Sequence, residues 1–80
     1  MSKMTKESIN RGRQLKFVRT YRGITQSDLC KKVNGLSQEN LSRFEAGFNT
    51  ISNEKVEIIM SVLDWPLSFL ERKYPNYDFS

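Results

Sequence analysis

The stretch that most restricts what this chain can become is Thr25 to Gly47, TQSDLCKKVNGLSQENLSRFEAG. It reads as two short helices joined by a tight turn. Thr25 is a candidate N-cap for the first helix, which runs through Leu29, Cys30 and Val33. Asn34-Gly35 stops that helix, because these residue types reach positive φ at the lowest steric cost. Ser37 then caps a second helix that passes through Phe44 and Glu45 and ends at Gly47. At about 100° per residue, Leu41, Phe44 and Glu45 fall on one side of this second helix. Glu39, Ser42, Arg43 and Ala46 fall on the other, with Gln38 at the leading end.

That outer set is polar and holds groups that read base edges. Gln pairs in two-pronged fashion with adenine, Arg does so with guanine, and Glu accepts from cytosine. An α-helix fits the major groove of B-DNA, so a helix with such a face can probe sequence.

Taken in order, Gln26, Leu29, Cys30, Ser37, Leu41, Ser42, Glu45 and Gly47, with Arg19 and Gly23 before them and Val56 to Leu70 after, make the chain resemble the lambda-repressor-like, Xre-type helix-turn-helix family. The resemblance spans residues 12–70. Cys30 stands where the family prefers Ala, and the turn from Val33 to Ser37 is one residue longer than the common form, which bears on the angle of the second helix. The fold implied is all-α, a compact bundle of about five helices with the helix-turn-helix at helices 2 and 3. The function implied is a sequence-specific, double-stranded-DNA-binding transcriptional regulator, repressor-like, acting as a homodimer on an inverted-repeat operator. Gln38, Glu39, Ser42 and Arg43 are the expected base-reading residues, and Thr25, Gln26, Ser37, Asn40 and Asn49 the expected phosphate contacts. Gln26 sits at a helix start, where free backbone N–H groups attract phosphate and its amide adds a hydrogen bond. Phe48 occupies a place where a basic residue is common in the family. The resemblance also implies a buried ion pair between Arg19 and Glu45, bracing the first helix against the reading helix; the alternative is that both charges are solvated.

Composition narrows the partners. Eighty residues make one small domain, divided as a flexible N-terminus (1–7), a helix-turn-helix domain (8–72) and a C-terminal tail (73–80). No apolar run is long enough to span a bilayer, and MSKMTKES is not a signal peptide, so the expected location is cytoplasmic, in a prokaryote or a phage host. Cys30 is the single cysteine and histidine is absent, which excludes an intrachain disulfide and zinc-ligand spacing; no metal or cofactor is expected. Cys30 reads as a small core residue, with a redox sensor as the alternative. Enzymatic chemistry finds no histidine, no paired carboxylates and no Gly-rich phosphate loop. The net charge of +4 favours a polyanionic partner, and Arg11, Arg13, Lys16, Arg19 and Arg22 gather in the first helix.

Around the central stretch, residues 1–4 read as disordered. The first helix starts at Thr5 or Ser8, runs to Arg22, and turns Leu15, Val18 and Arg22 inward. Gly12 weakens its front by up to ~1 kcal/mol relative to Ala, so fraying is expected there. Gly23 ends it and Ile24 turns back to the core. Phe17 and Tyr21, four apart, pack on each other or against a later helix or a partner chain. A fourth helix begins at Ser52 and presents Val56, Ile59, Met60 and Leu63 to the core. Ile58 and Val62 lie on its outer flank, either at an interface or under the last helix. Asp64-Trp65-Pro66 breaks the helix, Pro66 opens another, and Leu67 and Leu70 are expected to point inward. Trp65 reads as core or as a binding residue. The expected dimer surface comprises Ile58, Val62, Trp65, Phe69 and Tyr74. A competing function is an antitoxin-like or adaptor module whose partner is a protein such as a toxin or antirepressor. The closing segment LDWPLSFLERKYPNYDFS also resembles the end of the DNA-binding part of regulators that continue into a metallopeptidase-like domain.

Overall fold

Three of the four α-helices among the described residues stop at a left-handed residue, while the second ends on Val33 in an extended conformation before Gly35 turns the chain. A computed structural model describes residues 6–71, all of whose regular structure is helical. The order is α1 (Lys6–Tyr21), α2 (Gln26–Lys32), α3 (Gln38–Glu45) and α4 (Asn53–Leu63), followed by a 3-10 turn at Leu67–Glu71. The fifth helical segment of the sequence reading is therefore this 3-10 turn, which follows Pro66. Helix α1 takes in Lys6 and Glu7, two residues the sequence reading assigned to the N-terminal extension.

Three helices end in the same way. After α1, Gly23 (φ +72°) donates to the Thr20 carbonyl and Ile24 to the Arg19 carbonyl. After α3, Gly47 (φ +91°) donates to Phe44 and Phe48 to Arg43. After α4, Asp64 (φ 56°) donates to Ser61 and Trp65 to Met60. This paired closure satisfies the last carbonyls of a helix and needs one left-handed residue. Asp64 fills that place without being glycine. Its helix end is further held by Arg22, whose Nε donates to the Leu63 carbonyl and Nη2 to the Asp64 carbonyl, both at 2.8 Å.

The apolar stripes meet in one core: Leu15 and Val18 from α1, Leu29 and Val33 from α2, Leu41 and Phe44 from α3, Val56, Ile59, Met60 and Leu63 from α4, with Leu36 and Leu70 closing its ends. Ile24, Cys30, Ile51, Val62, Trp65 and Phe69 pack against it while partly buried. Leu67 is exposed and does not join Leu70 inside, although a 3-10 turn of about three residues per turn sets the two on one edge: Leu67 stands at the open first position of the turn and Leu70 reaches the core. Arg22 does not face inward either; its guanidinium lies over the Trp65 ring, 4.9 Å from the centroid, where it reaches the end of α4.

Helix α1 packs on α3 and on the 3-10 turn, and α2 packs on α3. The contact of α1 with α3 requires Gly12. A Cβ there would lie 2.1 Å from the Phe44 carbonyl oxygen and 2.9 Å from that of Glu45. Gly12 is thus a buried close-approach point in the middle of α1 and not a site of fraying. Ser8 adds a hydrogen bond from Oγ to the Gly47 carbonyl at 3.0 Å, fixing the front of α1 to the end of α3.

Phe17, Tyr21, Trp65 and Phe69 form an aromatic cluster that joins α1 to the segment after α4. Phe17 stacks on both Tyr21 and Phe69, at centroid separations of 6.1 and 6.0 Å, and Trp65 meets Tyr21 and Phe69 edge-on. Two of the sequence alternatives are realised together: Phe17 and Tyr21 pack on each other and on the later element.

Candidate nucleic-acid interface

Helix α3 is held from behind and from its front end. Ser37 accepts a hydrogen bond from the Asn40 N–H at 3.1 Å, capping the N-terminus. Glu39 in the first turn and Arg43 in the last both suit the helix dipole. On its inner face Leu41 and Phe44 enter the core, and Glu45 meets α1. Arg19 grips the Glu45 carboxylate with two parallel bonds, Nε to Oε2 at 2.6 Å and Nη2 to Oε1 at 2.9 Å. Arg19 Nη1 donates to the Ile24 carbonyl at 2.8 Å, and Gln26 Nε2 donates to Glu45 Oε1 at 3.0 Å. Arg19 and Glu45 are only 7% and 6% exposed. One carboxylate therefore ties α1, α2 and α3 together in a two-pronged, charge-assisted geometry.

The other face of α3 is open. Gln38, Glu39, Asn40, Ser42, Arg43 and Ala46 are all exposed. Within this row Arg43 Nη2 donates to Glu39 Oε2 at 3.0 Å, one helical turn back. An exposed i,i+4 pair of this kind is worth ~0.3–0.5 kcal/mol, less than the ~1–3 kcal/mol of discrimination from a two-pronged base contact. The pair orients Arg43 without preventing it from taking another partner.

The expected phosphate contacts occupy unlike places. Thr25 is exposed and caps α2, its side chain accepting from the Asp28 N–H at 3.0 Å. Ser37 and Asn40 are exposed at the start of α3, and Asn49 is half-buried in the loop after it. Gln26 is half-buried, and the structure gives its amide a structural bond to Glu45 that sequence reasoning did not anticipate. An amide NH2 has two donors, so that bond leaves the group able to donate once more. Of the expected dimer residues, Ile58 is exposed, Val62, Trp65 and Phe69 are half-buried on the core, and Tyr74 lies outside the described residues.

Sequence reasoning also missed the buried Asn10 and Gln14 on α1. Their positions at i and i+4, with Val18 four further on, mark a helix face, but a polar residue carries no hydropathy signal of burial. Among the described residues there is no cluster of three or more His, Cys, Asp or Glu side chains able to hold a metal. No helix among them is long and apolar enough to cross a membrane. Cys30 is half-buried and its thiol pKa is raised, first by burial and then by the Glu45 carboxylate.

A family model for the helix-turn-helix, HTH_3, matches residues 15–70. The chain belongs to the lambda-repressor-like, Xre-type helix-turn-helix family. Among curated protein sequences none matches the chain. Among solved structures, the restriction-modification controller protein C.AhdI from Aeromonas hydrophila superposes with a TM-score of 0.75 at 23% identity, covering 82% of this chain and 98% of that one. The biofilm master regulator SinR, solved in complex with DNA, gives 0.71 at 27% identity over 78% and 98% of the two chains. The clp gene regulator ClgR from Corynebacterium glutamicum gives 0.77 at 20% identity over 86% and 72%. This helix-turn-helix protein is a DNA-binding regulator of transcription and not an enzyme.

Proposed function

We propose that this helix-turn-helix protein binds an inverted-repeat operator as a homodimer and represses transcription there, in the cytoplasm. The observation that carries the reading is the exposed row Gln38, Glu39, Ser42 and Arg43 on a helix whose opposite face is locked by a buried ion pair. In this reading those side chains meet bases, and Thr25, Gln26, Ser37, Asn40 and Asn49 meet phosphates. Asn40 and Ser37 stand at the end of α3 that leads into the groove, and Thr25 and Gln26 at the start of α2, where helix N-termini favour anions.

One reading helix sees few base pairs, so a second copy supplies the rest of the specificity, with half-sites about 34 Å apart. We assign its surface to Ile58 together with the outer edges of Val62, Trp65 and Phe69; Tyr74, outside the described residues, is assigned to it from the sequence alone. Exposed Phe17 and Tyr21 extend that apolar surface from α1.

Selection of bound sequences from a random duplex pool tests the proposal. A palindromic consensus is the expected result. Binding without enrichment of any sequence removes the operator, and an enriched site without two-fold symmetry removes the dimer.

A further inference from the structure

Beside the polar row, at the C-terminal end of α3, lies an open concavity of about 440 Å³ lined by Ser42, Arg43, Ala46 and Phe48. Phe48 is half exposed and takes no part in the core. Its backbone is nonetheless fixed. Gly47, at φ +91°, reverses the chain, and the Phe48 N–H donates to the Arg43 carbonyl at 2.9 Å, closing the helix end. The ring is thus carried on the rigid end of the reading helix, on the side of the exposed row. The half of the phenyl group left in water, next to a guanidinium and a hydroxyl, gains nothing for the free protein. Its apolar surface is stabilising only when something covers it.

We propose that this concavity receives the C5-methyl group of a thymine, with Phe48 and Ala46 as residues that select that base in each half-site. The proposal rests on the reading that the exposed face of α3 enters the major groove. In that groove the thymine methyl is the one apolar group that base pairs present, and Ala and Phe are among the side chains that contact it. The polar liners fit the same occupant: Arg43 reaches a neighbouring base edge, and the Ser42 hydroxyl donates or accepts as the adjoining base requires. The concavity is too open to enclose a small-molecule ligand, which a binding pocket buries over most of its surface.

The test uses the full chain and a duplex carrying its selected site. Each thymine is replaced singly by deoxyuridine, which removes the methyl and leaves the hydrogen-bonding edge intact. Wild type should lose about fourfold in affinity at one position per half-site, the factor expected for burying one methyl. Phe48→Ala, which leaves only Ala46 against the methyl, should lose most of that discrimination, with little change in thermal melt because the side chain is half exposed and outside the core. Phe48→Leu, which keeps an apolar group, should retain part of the discrimination. The proposal is overturned if no fixed thymine occurs in the selected sites, if no substitution weakens wild type, or if Phe48→Ala keeps the full discrimination. If wild type binds no duplex even in dilute salt, the DNA reading itself fails and takes this proposal with it.

Discussion

Glu45 is the side chain whose removal tells most about this fold. Replacing it with alanine leaves Arg19 buried with its charge and only the Ile24 carbonyl as a partner, and takes away the acceptor of Gln26. Breaking a buried pair by deleting one member costs ~3–5 kcal/mol, because the remaining charge stays desolvated. At ~0.05–0.15 kcal/mol per residue, a chain of this length has ~4–12 kcal/mol in all, so Glu45→Ala removes a large share of it. With a shift of about 4–8 °C per kcal/mol in a domain of this size, Tm should fall by about 12 °C or more. Glu39→Ala is the control. It breaks only the exposed bond to Arg43, worth ~0.3–0.5 kcal/mol. Thermal unfolding followed by far-UV circular dichroism gives the Tm of both variants, and urea titration followed by the fluorescence of the single tryptophan, Trp65, gives their free energies. Replacing both members, Arg19→Met with Glu45→Met, should recover most of the loss, since apolar residues of similar volume need no partner. A Glu45→Ala protein as stable as Glu39→Ala would refute the reasoning.

Gly12→Ala should destabilise the protein by ~1–3 kcal/mol despite improving helix propensity, because the added methyl overpacks against the α3 backbone; a rise in urea midpoint would show that α1 can shift away. Asp64→Gly should raise stability by up to ~1 kcal/mol by relieving the left-handed backbone, since Asp64 is exposed and its carboxylate is 4.0 Å from Arg22; a lower melting temperature would mean that this distant pair matters more than the backbone. Arg43→Ala should reduce preference for the selected site by ~1–3 kcal/mol with little change on random DNA; an equal loss on both would make Arg43 a phosphate contact. The raised pKa of Cys30 keeps more of the thiol protonated at any given pH, so alkylation at neutral pH should be slower in the folded protein than in urea; equal rates would argue against that burial.

Much of the reading face was legible in the chain because it depends on local rules. Thr25, Ser37 and Ser52 accept from the backbone N–H three residues on, as short hydroxyl side chains at helix starts do. Apolar spacing in α4 assigned Val56, Ile59, Met60 and Leu63 to the core. Helix α1 was harder to read, because its inward face mixes Leu15 and Val18 with Asn10, Gly12, Gln14 and Arg19. The same mixture placed Arg22 wrongly on that face, when it caps the end of α4. Leu67 followed the apolar rule in sequence and broke it in space.

The existence of α1 to α4, their ends to within a few residues and which side of α3 stays polar were settled by the order of amino acids, since capping, φ preference and a 3.6-residue period act over a few neighbours. Gly12 against the Phe44 carbonyl, Gln26 on Glu45 and Phe17 stacked on Phe69 join positions far apart along the chain. Those pairings depend on how the helices cross, and only close packing in three dimensions decides that.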